Sequence, residues 1–179
     1  MANQYPQINA GSRITAGLLQ SMIPVVVRKP SSTARTSQAT VSDDPDLTYP
    51  LQANATYFVE FYIKYAAAAV TNVVKMQTAW NVPSGASGTR SCLGAGSSAT
   101  DASADNVAMH TGIHGFNSVI EVYGGRSNSD SNQLLLVETS VITTTNSGAC
   151  TFQWSQNASN ATHAATVTAD SFMRITRLA

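Results

Sequence analysis

Residues 53–66 constrain the fold of this chain more than any other stretch, because their side chains alternate with a period of two. One set of alternate positions is entirely aromatic or branched: Tyr57, Val59, Phe61, Ile63 and Tyr65. The intervening set is mixed and includes charges: Phe58, Glu60, Tyr62 and Lys64. Such alternation is typical of an antiparallel strand with one buried face, and no helical period fits it. We therefore predict the central strand of an all-β fold here.

The rest of the sequence predicts further strands between turn-forming residues. They lie at residues 36–42, 47–51, 71–82, 89–93, 116–123, 133–145, 149–154, 164–168 and 171–178. Eight to ten strands at such intervals indicate an antiparallel β-sandwich, and a jelly roll of two Greek keys is the preferred topology. The turn signal Asn146-Ser-Gly148 predicts a hairpin between its two flanking strands. Cys150, Phe152 and Trp154 are expected to face inward.

Residues 1–35 are interpreted as an N-terminal anchoring arm, followed by the β-sandwich domain at residues 36–179. The candidate partner-binding side chains of the arm are Ile14, Leu18, Leu19, Met22, Val25 and Val27. The first four lie on one side of a short helix that Ser12 caps and Pro24 ends. A helix of about ten residues is marginal alone in water. Its apolar side is expected to pack either on the chain's own sandwich or, preferably, on a neighbouring protein, whose sheet edge the valines would extend.

The charge content excludes several classes of partner. Hydrophobic residues make up 43% of the chain and charged residues only 11%, with ten basic and ten acidic side chains that cancel. A nucleic-acid partner requires a basic face, and an anionic membrane requires a basic segment, so we expect neither. No apolar run approaches membrane-spanning length. A neutral surface of this kind favours self-association, so a homo-oligomer is expected.

No motif in the sequence predicts a metal or a cofactor. Residues 43–46, with Asp43, Asp44 and Asp46, form a predicted turn but lack the ordered acidic spacing of a calcium-binding loop. His110 and His114 have a spacing that can bind zinc on a helix, whereas in a strand they would lie about 13 Å apart. We interpret the two histidines as a surface or interface pair.

We expect no enzymatic activity, because no nucleophile motif is present and the carboxylates are sparse. Glu60 and Glu121 could face each other on neighbouring strands, which is the only catalytic arrangement left open. Otherwise, a glutamate within a strand, such as Glu138, is expected on the solvent face or paired with a lysine. Trp80 and Tyr123 are expected in the core or an interface, with a sugar-stacking platform as the alternative.

The two cysteines are too few for a disulfide scaffold. Cys92 and Cys150 are expected to be free, small core residues, and a single bridge between them is the alternative.

Three stretches resemble small virion proteins from tailed phages of actinobacteria. The run Arg13-Ile-Thr-Ala-Gly-Leu-Leu-Gln-Ser-Met-Ile-Pro24 is similar to the N-terminal arm of that group. The block Asp43-Asp-Pro-Asp-Leu-Thr-Tyr-Pro-Leu-Gln-Ala-Asn-Ala-Thr-Tyr57 and the closing Ser171-Phe-Met-Arg-Ile-Thr-Arg-Leu178 are also similar to it. The resemblance covers both ends and the central strand but not the middle loops.

The resemblance implies a virion structural protein that is assembled in the host cytoplasm. It implies a trimeric jelly roll that binds the major capsid protein or tail proteins of the same particle. A capsid decoration protein that clips onto the head lattice through its arm is the preferred interpretation. A minor tail or fibre protein with a carbohydrate- or receptor-binding jelly roll is the alternative, and the resemblance leaves both locations open.

Overall fold

The computed structural model describes residues 5–6, 8–68, 74–97, 109–119, 121–126 and 133–179. One helix and twelve strands lie in these residues. They are α1 Ala16–Ser21, β1 Val25–Arg28, β2 Thr33–Arg35, β3 Ser42–Leu51, β4 Ala55–Ala67, β5 Met76–Asn81, β6 Arg90–Ala95, β7 Met109–His114, β8 Glu121–Tyr123, β9 Gln133–Thr144, β10 Gly148–Gln156, β11 Ala165–Val167 and β12 Phe172–Arg177. Within the described residues, no helix combines the length and apolar character needed to cross a bilayer.

Strands β3 to β10 have the connectivity of a jelly roll. The first of these eight strands pairs with the last, the second with the seventh, the third with the sixth and the fourth with the fifth, always antiparallel. A double strand folded over itself in this way forms two sheets. The smaller sheet has the order β3-β10-β5-β8, and the larger contains β4-β9-β6-β7. The predicted jelly-roll-like β-sandwich with a small N-terminal helix is therefore confirmed.

Four more strands extend the larger sheet beyond the edge of β4. β12 and β11 both pair with β4, β1 pairs with β12, and β2 pairs with β11. The sequence placed the boundary between arm and sandwich at residue 35. The structure places residues 25–28 and 33–35 in the larger sheet, so part of the predicted arm belongs to the sandwich.

The core lies between the two sheets, and β4 is its central strand as predicted. All five inward-facing side chains of β4 are buried, from Tyr57 to Tyr65. The ring of Phe61 packs edge-on against Trp80 at 4.7 Å and lies 5.2 Å from Phe152, so side chains of both sheets interdigitate. Cys150 and Trp154, predicted to face inward from β10, are also buried.

The predicted hairpin at Asn146-Ser-Gly148 is wrong. β9 pairs with β4 and β6 in the larger sheet, whereas β10 pairs with β3 and β5 in the smaller one. The two strands therefore lie in different sheets and do not pair with each other. The turn between them carries the chain across the sandwich from one sheet to the other. The Asn146 side-chain amide donates to the Ser84 carbonyl at 2.9 Å and ties this crossing to another loop.

Two other predicted strands are shorter than expected or missing. Residues 36–41 form no strand, and side chains bind their backbone groups: Gln38 N donates to Gln156 Oε1 at 3.2 Å, and the Ala39 carbonyl accepts from Gln77 Nε2 at 2.5 Å. The strand predicted at residues 116–123 is reduced to β8. Its first part is a turn in which Ser118 N donates to the carbonyl of Gly115 at 3.2 Å.

Cys92 and Cys150 form no disulfide and are both buried, as predicted. Burial raises the pKa of the Cys150 thiol from its ordinary value of 9.0 to about 12. The folded protein therefore keeps this proton at a pH where the unfolded chain releases it.

We expect stability to fall as pH rises from about 9 towards 12, because the unfolded chain then binds fewer protons than the folded one. The stabilising effect is complete below pH 9. The slope of the unfolding free energy against pH, measured by urea titration between pH 8 and 10, should be shallower in Cys150→Ala than in the parent chain. Equal slopes would contradict the prediction, whatever the absolute stabilities.

Candidate interaction surface

The helix of the arm is a single capped segment in which no side chain is fully buried. α1 has six residues, and its N-cap is Thr15, whose hydroxyl accepts a hydrogen bond from Leu18 N at 3.2 Å. The predicted cap, Ser12, instead accepts from Asn9 N at 3.1 Å in the turn before the helix. No residue of α1 is fully buried, and only Leu18 and Ser21 are half-buried, so the sandwich of the same chain covers the helix in part.

The apolar side chains of the arm divide into two groups. Ile14, Leu19, Met22 and the adjacent Ile23 are between 53% and 68% exposed. Leu19, Met22 and Ile23 have the i, i+3, i+4 spacing of one helix face, and together they form what we call the arm patch. Leu18, predicted to belong to the same face, is half-buried.

Val25 and Val27 behave differently from the rest of the predicted arm residues. Both are half-buried and pack against the core of the chain's own sandwich. Their strand, β1, is hydrogen-bonded to β12 from Val25 opposite Ile175 to Arg28 opposite Phe172. In this structure the valine strand is thus added to the chain's own sheet rather than to the edge of a neighbour.

A buried ion pair fixes the base of the arm. The Lys29 ammonium donates to Asp44 Oδ1 at 3.0 Å and to Asp46 Oδ2 at 2.7 Å, and the side chains of Lys29 and Asp44 are fully buried. Asp44 Oδ2 also accepts from Trp154 Nε1 at 2.9 Å, while its Oδ1 accepts the backbone N–H of Leu47 at 3.1 Å. The charge on each buried side chain is therefore paired and hydrogen-bonded.

This ion pair explains the acidic cluster at residues 43–46. The predicted turn is a bulge within β3, because pairing with β10 jumps from Thr48–Thr151 to Asp43–Gln153. The bulge directs the carboxylates of Asp44 and Asp46 towards the ammonium group of Lys29. Across the part of the chain that the structure describes, no group of three His, Cys, Asp or Glu side chains lies close enough to hold a metal ion.

Lys29→Met should destabilise the fold by about 3–5 kcal/mol, because it leaves the carboxylate of Asp44 buried without its cation. The neighbouring Arg28→Met is the matched control. Arg28 pairs with Asp170 at 2.5 Å, but both side chains are more than half exposed, so its loss should cost less than about 1 kcal/mol. Urea unfolding of both variants measures the difference in the free energy of unfolding. Equal decreases in the two variants would show that the buried pair stabilises the fold no more than the exposed pair does.

A second buried cluster lies in the middle of the core, around Glu138. Its carboxylate accepts from Thr78 Oγ1 and Trp80 Nε1, both at 2.5 Å, and from Tyr123 OH at 2.9 Å. Arg90 Nη1 donates to it at 2.9 Å in an ion pair whose two side chains are fully buried. Glu138 and Arg90 belong to the larger sheet, whereas the other three residues belong to the smaller one, so the carboxylate joins the sheets.

The guanidinium of Arg90 also reaches the turn before β8. It donates to the carbonyl oxygens of Thr78 at 2.9 Å, of Gly115 at 3.3 Å and of Ser118. The hydroxyl of Tyr123 lies beside the Glu138 carboxylate in a buried site, and burial followed by that negative charge raises the tyrosine pKa above its usual range. Tyr123 therefore remains a hydrogen-bond donor to Glu138.

The sequence interpretation missed both clusters. Glu138 was expected on the solvent face or beside a lysine, but it lies in phase with the buried Leu136 and Ile142 of β9. The sequence did contain a signal for the buried position of Glu138: it is a charged residue at an inward-facing position of a strand whose side chains alternate. The catalytic arrangement of Glu60 with Glu121 on neighbouring strands is wrong, because β4 and β8 belong to opposite sheets.

Glu138→Gln should lower stability by about 3–5 kcal/mol, because the amide leaves the charge of Arg90 uncompensated in the core. Glu60→Gln is the control, since Glu60 pairs with Arg174 at 2.5 Å on the outward face of the same sheet. That change should cost about 0.2–1 kcal/mol. Chemical denaturation at neutral pH tests both predictions. A Glu138→Gln variant as stable as Glu60→Gln would show that the buried cluster around Glu138 does not stabilise the fold.

The other sequence-predicted site residues do not form a ligand site. Trp80 and Tyr123 are completely buried, so the sugar-platform alternative is wrong for both. His110 and His114 lie four residues apart in the strand β7, opposite Gly94 and Arg90. The polar loop 155–162 contains no aromatic residue on which a sugar could stack, and the polar loops 94–105 and 124–132 lie largely outside the described residues.

Known families and solved structures show little similarity to this chain. No protein-family model matches the sequence, and no curated protein matches it either. One similar solved chain belongs to a structure of infectious bursal disease virus, Gx strain, with 10% identity over 100% of this chain and a TM-score of 0.21. This chain spans 42% of the length of that virus chain. A TM-score of this size carries no argument about function.

Proposed function

We propose that this chain is a structural protein of a virion, a capsid decoration protein whose N-terminal arm docks on the head lattice. The observation that supports this proposal is the arm patch. A six-residue helix is too short to be stable alone, and Leu19 within it, with Met22 and Ile23 directly after it, faces solvent on the isolated chain. A partner surface would both bury those side chains and stabilise the helix.

The arrangement suits recognition of a helix in an apolar groove. Leu19, Met22 and Ile23 are the anchors, and Ile14 extends the contact towards the N-terminus. The buried Lys29 and the pairing of β1 with β12 fix the point from which the arm projects. Docking then positions the sandwich firmly, because no long linker separates the arm patch from the larger sheet.

The proposed partner is the major capsid protein of the same particle, and the chain is proposed to have no catalytic role. The resemblance of residues 13–24 and 43–57 to actinobacterial phage virion proteins supports the same function. The tail or fibre alternative would need a receptor site, and the two aromatic residues considered for one are buried. The head is therefore the preferred location.

The test is immunogold labelling of virions of the phage that encodes the chain, followed by a docking assay on heads that lack it. Labelling should cover the head, and Leu19→Gln with Met22→Gln should weaken head binding about thirtyfold. Two half-exposed apolar side chains are then lost, at about 1 kcal/mol each, while glutamine preserves the helix.

Gln20→Ala is the matched control on the same helix and should bind as the parent chain does. Gold particles on the tail would support the minor tail protein instead. A virion without label, or heads that bind the double variant as well as the parent chain, would overturn the proposal.

A further inference from the structure

We propose that the outward face of the larger sheet is a self-association surface, on which a second copy of this chain packs about a two-fold axis. The proposal is independent of the arm and adds a second surface to the proposed function. It is carried by the side chains of this face, which we call the outer face, and by their cross-strand register.

The outer face is apolar along a row that crosses four strands. Phe172 on β12 lies opposite Tyr62 on β4, Tyr62 opposite Val137 on β9, and Val137 opposite Leu93 on β6. The rings of Phe172 and Tyr62 stack at 5.0 Å. Ile113 is 72% exposed on this face, and Leu93 is exposed beside it.

Among the described residues, the charges in the rows on either side are one lysine, Lys64 opposite Leu135, and one ion pair, Arg174 with Glu60. The row next to the apolar row begins with Arg174 and Glu60, whose charges neutralise each other. It continues through Thr139 and Ser91 to Ile113. Beyond it, Phe58 lies opposite Val141, which is 53% exposed. On this face the apolar side chains of Leu93, Ile113 and Val141 are exposed, and those of Phe58, Tyr62, Val137 and Phe172 are half-buried.

The outward face of the smaller sheet shows the contrast. Its polar side chains bind one another: the hydroxyls of Thr48 and Thr151 lie 2.6 Å apart, and Gln153 Nε2 donates to Asp43 Oδ1 at 2.7 Å. Asn81 Nδ2 donates to the other oxygen of Asp43 at 3.3 Å. These groups are already satisfied and hydrated, so this face has little to gain from a partner, whereas the outer face leaves large apolar side chains in water.

The register makes the outer face complementary to itself. Consider a two-fold axis in the interface plane, parallel to the strands and midway between β4 and β9. It exchanges β4 with β9, β12 with β6 and β1 with β7 of the second copy. Tyr62 then faces Val137 of the second copy, Phe58 faces its Val141, and Lys64 faces its Leu135.

The same operation avoids any contact between like charges. Glu60 faces Thr139 of the second copy, and Arg174 faces its Ser91. On the apolar row, Phe172 faces Leu93, next to an open groove of about 520 Å³ whose lining includes Cys92 and Gly112. Aromatic side chains on one half of the face thus meet aliphatic side chains and a groove on the other half, which is the requirement of an isologous contact.

The area is sufficient for a stable dimer. Two rows that cross all six strands, and two more that cross two or three of them, give a projected patch of roughly 500 Å² at about 4.8 Å between strands and about 6.7 Å between rows, before the side-chain relief is counted. Relief raises the accessible area towards the ~800 Å² per partner of a standard interface.

The experiment is the solution mass of the full-length chain by sedimentation across a concentration series. The parent chain should be a dimer, and Ile113→Lys should weaken the dimer about thirtyfold or more, since each dimer contains the contact twice. Ala149→Lys, an exposed site on the smaller sheet, is the matched control and should leave the mass unchanged. The arm variant Leu19→Gln with Met22→Gln should also leave it unchanged, which separates this inference from the proposed function.

A charge-exchange pair tests the axis itself. Val26 on β1 and Ile113 on β7 lie on the same row at opposite edges, so the axis brings them together. Val26→Glu and Ile113→Lys should each weaken the homodimer, and an equimolar mixture should form a heterodimer with the parent mass. A monomeric parent chain, a trimer unaffected by Ile113→Lys, or a mixture that stays dissociated would overturn the proposal.

Discussion

Two buried carboxylates hold this sandwich together, and each of them reaches from one sheet to the other. Glu138 extends from the larger sheet to Thr78, Trp80 and Tyr123 of the smaller sheet. Asp44 extends from the smaller sheet to Lys29 at the end of β1. In both clusters an indole N–H of a core tryptophan donates to the carboxylate. Burying a charge is costly, so each cluster requires all of its partners at once and accepts only one relative placement of the sheets.

This use of charge also determines what remains for the surface. The chain has ten basic and ten acidic residues, and Lys29, Asp44, Arg90 and Glu138 lie in the interior. Among the described residues, the larger sheet presents on its outward side the ion pairs Arg174–Glu60 and Arg28–Asp170, the single lysine Lys64, and a row of apolar and aromatic side chains. A surface with so few charges is a poor one for an isolated soluble monomer and a suitable one for a subunit of an assembly.

The arm patch and the outer face are separate surfaces with different physical requirements. The arm patch is a short amphipathic segment that gains helix stability only when a groove covers it. The outer face belongs to a rigid sheet whose register is already set by pairing within the chain. A dimer formed through the outer face would therefore project two arms, and each additional arm raises the avidity for a repetitive lattice.

The sequence by itself determined the elements whose side chains repeat with the strand period. The alternation of β4, the inward side chains Phe152 and Trp154, the free cysteines and the jelly-roll class all follow from local pattern and composition. Only the tertiary structure decided which strands pair, because a turn such as Asn146-Ser-Gly148 serves a hairpin or a crossing between sheets equally well. It also decided the roles of Asp44, Arg90 and Glu138, since a charge in a strand is exposed or buried according to partners that lie far away in sequence. The exposure of the arm patch and the complementarity of the outer face likewise depend on which side chains share a surface, and only folding places them together.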